Sequence, residues 1–103
     1  MKFKYFNYEE FDSPDIQGSG QLMSNEIISM LDVVRKKYGK AIDINSGFRT
    51  PKHNAEVGGK VTSSHLKGLA VDISCTNNTD RFKLAGILRE VGFTRNKLGV
   101  PYP

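Results

Sequence analysis

A chain of 103 residues, 38% hydrophobic with six phenylalanines and four tyrosines, is long enough for one modest core, expected as one domain over residues 1–103, and too apolar for a disordered tail. No apolar run reaches membrane-span length, residues 1–10 lack the apolar core of a signal peptide, and the single cysteine, Cys75, excludes an internal disulfide framework; synthesis in the cytoplasm is expected. The net charge of +4 divides into −4 over residues 1–34 (two lysines, six acids) and +8 over residues 35–103 (thirteen basic, five acidic), a surface that attracts anionic polymers without selecting nucleic acid over cell-wall material.

The aromatic stretch Tyr5 to Phe11, followed by the turn-rich Asp12-Ser13-Pro14-Asp15 and Gly18-Ser19-Gly20, predicts an N-terminal arm over residues 1–23 that packs on the body. Ser24 can cap a helix with Glu26 in its first turn; Ile27, Leu31, Val34 and Tyr38 follow at helical spacing, three basic residues crowd the far end, and Gly39 stops it. Ala41 to Ser46 alternates as a strand with Ile42 and Ile44 inward and Asp43 outward, and Gly47 breaks it to release Phe48-Arg49. Thr50 caps a short helix with Pro51 at its first position, ended by Gly58-Gly59. A second strand is expected over Leu69 to Ile73. Asn77, Asn78 or Thr79 then caps a second long helix carrying Leu84, Leu88 and Val91, terminated by Gly92. These elements make an α+β chain, a small mainly antiparallel sheet packed with two main helices.

The stretch Ser63 to Asp72 bears most directly on chemistry. It sets an imidazole and a carboxylate seven positions apart, with Gly68 between them to fold His65 back toward the strand. Strand alternation places Asp72 on the same face as the small Ala70, which leaves room for an ion, and a histidine nitrogen with an aspartate oxygen suits zinc. The competing reading of the pair alone is a surface histidine beside a strand-end aspartate. Cys75, three positions on, falls on the opposite strand face and is a poor co-ligand, better placed as a small buried hydrophobe.

The complete pattern Ser63-x-His65-x-x-Gly68-x-Ala70-x-Asp72, with Ser46-Gly47-Phe48-Arg49-Thr50-Pro51, His53-Asn54, Val57-Gly58-Gly59 and Glu90-Val91-Gly92-Phe93 in order, resembles the D-alanyl-D-alanine carboxypeptidases and related phage endolysins, the M15 family of zinc peptidases, from about Tyr5 through Phe93. The resemblance implies a hedgehog/D-Ala-D-Ala peptidase-like fold, a Zn2+ cofactor held by His65 and Asp72, and peptidoglycan stem or cross-link peptides as substrate, reached after release from the cell, as in phage lysis. It implies that Arg49 faces the metal and stabilises substrate or the oxyanion; the competing reading of Arg49 is a salt bridge tying its loop down. Ser63 is placed to orient a ligand or to hydrogen-bond substrate, and His53 either contacts substrate or is an exposed residue of the short helix. In the family a third zinc ligand comes from a later apolar-His-x-Asp strand. No histidine follows His65 here, so that closing strand is expected to be missing, and the alternative function is a non-catalytic wall-binding or phage assembly module.

Overall fold

The first helix forms where its end signals lie. A computed structural model describes residues 3–74 and 78–93 of the chain. In it, helix α1 spans Asn25–Tyr38, the Ser24 hydroxyl accepts the Ile27 N–H, and Gly39 closes the helix in a left-handed conformation at φ 79°. Its buried stripe is Ile28, Leu31, Val34 and Tyr38; Ile27 is half-buried and packs at the core's edge, one residue round the helix from the expected position. Strand β1 (Asp43–Ser46) follows, then the short helix α2 (Pro51–Glu56), capped by the Thr50 hydroxyl on the His53 N–H. Strand β2 (Asp72–Ser74) pairs antiparallel with β1, and helix α3 (Asn78–Val91) packs on α1 through Leu84 and Leu88, with Val91 half-buried. Helices on one small antiparallel sheet make this an α+β fold, and among the described residues no helix is long and apolar enough to cross a membrane.

Both strands are shorter than their alternation suggests. Ile42 is buried ahead of β1, and Leu69 to Val71 lie outside β2. For β2, the hydrogen bonds of the flanking backbone explain the difference. Beyond Ser46 the chain turns to other partners, the Phe48 N–H donating to the Phe11 carbonyl at 3.0 Å and the Arg49 N–H to the His65 carbonyl at 3.1 Å. Leu69 donates to Ser64 at 3.0 Å, which closes a 3-10 turn at Ser64–Lys67 instead of extending a ladder. A bulge at Asn45 shifts the register between Ile44, opposite Ile73, and Ser46, opposite Asp72. That slip sets Ser46 and Asp72 side by side on one face.

The N-terminal segment is more than a surface arm. It forms two 3-10 turns, Tyr8–Phe11 and Ser19–Leu22, and Phe11 is wholly buried in the same core as Ile28, Leu31 and Ile73. Gly47 approaches the Phe11 Cα and Cβ so closely that a side chain at residue 47 would meet them at 2.8 Å. Asn78 and Thr79 lie within α3. The expected cap at Asn77 and the expected burial of Cys75 fall outside the described residues.

Phe11→Ala is expected to lower unfolding stability by about 3–5 kcal/mol in urea titration, the usual cost of emptying a buried aromatic site. Val33→Ala, on the exposed face of α1, should stay within about 0.5 kcal/mol of the parent. Equal losses would contradict this placement of the core.

Candidate functional site

Two loops and one strand edge meet on the side of the sheet that Asp72 faces. Ser63 begins the first loop: its hydroxyl accepts the His65 N–H at 3.2 Å and starts the 3-10 turn that lifts His65 out of the chain's path. Gly68 ends that turn at φ 70°, and any Cβ there would collide with the Leu22 carbonyl, so both conformation and space require glycine. The Gly68 carbonyl then accepts the Ser24 N–H at 2.9 Å, which ties the turn to the start of α1.

His65 is buried, and its Nδ1 lies 2.8 Å from the Gly47 carbonyl oxygen. A carbonyl only accepts, so Nδ1 carries the proton and, in the neutral ring, Nε2 presents its lone pair. That lone pair faces Asp72, with Nε2 3.5 Å from Oδ2. Two donor atoms held at this distance repel unless something positive lies between or beside them. Donors about 2.0–2.2 Å from a tetrahedral ion stand about 3.3–3.6 Å apart, a range that includes the observed separation. The residues present therefore fit the metal as two of its ligands. Among the described residues, no cluster of three or more His, Cys, Asp or Glu side chains is gathered to hold an ion.

Arg49 enters from the loop after β1 and stops beside the same carboxylate, Nη2 3.5 Å from Asp72 Oδ2. Its other nitrogens are also engaged: Nε donates to Ser46 Oγ at 3.2 Å and Nη1 to Asn54 Oδ1 at 3.2 Å. Buried Asn54 is itself anchored, its Nδ2 donating to the Lys60 carbonyl at 2.9 Å. Ser46 and Asn54 are site residues that the motif reading passed over, although both stand inside the stretches that carried the resemblance. Arg49, Ser63, His65, Ala70 and Asp72 line one cleft of about 770 Å3, with Lys60 on its wall.

His53 is not brought to this cleft. Its backbone N–H goes to Thr50 and its Nδ1 lies 3.8 Å from Glu56 within α2. The physical reason is the phase of α2, which turns Asn54 inward to Arg49 and leaves His53 beside Glu56 on the same helix.

The M15 sequence family, described as Peptidase M15, matches residues 4–101. The chain belongs to this family. It is also similar to the zinc D-Ala-D-Ala carboxypeptidase of Streptomyces albus G, with 34% identity over 107 residues that cover 95% of this chain and 41% of the relative. The chain thus spans less than half the length of that curated relative. No solved structure matches it significantly.

In this M15 chain the Arg49 loop is pinned from behind by a second polar node. Ser13 and Thr50 hydroxyls both donate to the Asp15 carboxylate, Thr50 at 2.6 Å to Oδ2, while Ser13 Oγ accepts the Thr50 N–H at 3.2 Å. The Ser13 hydrogen bond first, and the Thr50 one second, hold the Asp15 carboxyl below the ordinary carboxylate value. Because the folded value is depressed, this contribution to stability is present above the unfolded value of about 3.9 and is lost as pH falls through the folded one. Asp15→Asn should therefore be less stable than the parent at pH 7 and lose less stability between pH 5 and pH 3. Thermal melts across that range check it, and parallel curves for the two proteins would contradict it.

Proposed function

We propose that the chain is a zinc-dependent peptidase acting on peptidoglycan stem or cross-link peptides, of the D,D-carboxypeptidase or endopeptidase type. Family membership supplies the reaction class, and the observation that carries the reading to this site is the 3.5 Å separation of His65 Nε2 and Asp72 Oδ2 with Nδ1 already committed to Gly47. His65 and Asp72 would hold the zinc. When bound, the ion supplies Lewis-acid polarisation of the scissile carbonyl and acidifies a water.

The remaining chemistry belongs to the chain's own groups. The Gly47 carbonyl fixes the ring and tautomer of His65, so Nε2 needs no reorganisation to bind. Arg49, permanently charged and braced by Ser46 and Asn54, presents a planar fork at the cleft wall where negative charge develops on the substrate oxygen. Ser63 acts through the backbone of His65, and the Lys60 side of the cleft favours an anionic peptide. His53 has no part in the reading.

A second reading has one observation in its favour. Only two donors of a catalytic zinc's usual three come together among the described residues, which suits a module that binds cell-wall peptides without cutting them.

Digestion of purified muropeptides with added zinc, followed by mass spectrometry, separates the two. The peptidase reading expects cleavage that His65→Ala abolishes and that Arg49→Gln slows by about 100-fold, the scale for losing one charge-stabilising donor. Retention of the peptides on the protein with no cleavage by the parent chain would replace it with the binding module.

A further inference from the structure

The Asp72 oxygen that faces His65 is the same oxygen that faces Arg49: Oδ2 lies 3.5 Å from Nε2 of the one and 3.5 Å from Nη2 of the other. An ion bridging His65 Nε2 and the Asp72 oxygen nearest to it uses this oxygen, and so enters beside a guanidinium that is already there. Arginine does not shed its charge at any physiological pH. Nor is the group free to swing aside, since Nε and Nη1 are held by two neutral acceptors, Ser46 Oγ and Asn54 Oδ1, which keep their hold whatever happens at Asp72. Space behind the fork is closed as well: a Cβ at Gly59 would stand 3.1 Å from Nη1 and collide with Asn54 Oδ1.

Resting on the zinc-site reading above, we propose that Arg49 opposes metal loading, holding the zinc affinity of the His65–Asp72 pair below what the two ligands would otherwise reach. Braced by Ser46 and Asn54, its charge remains next to the ion instead of retreating from it. Charges of +1 and +2 on either side of one carboxylate oxygen are close enough to repel by roughly tenfold in a binding constant even at the dielectric of water, and a partly buried cleft screens less. The same bracing that readies Arg49 for negative charge on a substrate therefore weakens the empty site's hold on its metal.

The test is zinc titration of the full chain against a competing chromophoric chelator, at one pH and salt concentration, for the parent, Arg49→Gln, Arg49→Lys and His65→Ala, each checked for folding by circular dichroism. Arg49→Gln is expected to bind zinc at least about tenfold more tightly than the parent, and Arg49→Lys, which keeps a charge but loses the bracing at Ser46 and Asn54, to fall between the two. Equal or weaker binding by folded Arg49→Gln, with the parent's binding lost in His65→Ala, would overturn this inference and leave the zinc site standing, because Arg49 would then be positioning Asp72 instead of opposing the ion. Zinc binding that His65→Ala leaves intact, or none by any of the four, would overturn both.

Discussion

The hydrogen bond from His65 Nδ1 to the Gly47 carbonyl joins two loops that are 18 residues apart and sets what each can do. On one side, it consumes the nitrogen that would otherwise give the imidazole a choice of tautomer. On the other, it needs Gly47 to pass Phe11 at a distance no side chain would allow, so burial of the N-terminal aromatic segment and orientation of the histidine are one packing event. The Arg49 N–H on the His65 carbonyl closes the same pair of loops a second time. With both ends of the His65 turn fastened, by Ser63 before it and Gly68 after it, Nε2 has little freedom left except to face Asp72.

Charge is distributed around that constraint in a consistent way. A carboxylate and an imidazole lone pair at 3.5 Å form an electron-rich pair, and the fold sets one fixed cation beside them, with its own geometry guaranteed by neutral partners. The bulge in β1 is what makes this possible, because it turns Ser46 to the face of Asp72 and so supplies the acceptor for Arg49 Nε. Farther back, Asp15, Ser13 and Thr50 hold the loop that bears Arg49 against the N-terminal segment. A bare ion pair between Arg49 and Asp72 would be weak evidence of anything. Here it is one side of a four-membered network with Ser46 and Asn54.

Much of this was legible in the residues, and the reasons are local. Ser24 and Gly39 bound α1, and Thr50-Pro51 starts α2, because caps act through neighbouring backbone groups that sequence order already places together. His65, Asp72 and Arg49 stood out because the motif's spacing encodes a turn and a strand. At Leu69 to Val71 alternation reports which faces are apolar, whereas a ladder also needs a partner whose hydrogen bonds are free; here they go to Phe11 and His65. Ser46 and Asn54 escaped notice as Arg49's supports for a similar reason: a neutral acceptor has no signature in sequence until a bulge or a helix phase delivers it. The N-terminal segment read as an arm, because nothing in its aromatic composition says that Phe11 lies beneath Gly47.

The fold commits Nδ1 of His65 to Gly47 and leaves Nε2 facing Asp72. Nitrogen-15 NMR of the imidazole rings at mildly alkaline pH, recorded before and after zinc addition, reads both nitrogens separately. The expected result is a His65 proton on Nδ1 in both spectra and a zinc-induced shift confined to the unprotonated Nε2, with His53 unmoved. A His65 proton on Nε2, or a zinc shift at His53 with none at His65, would contradict it.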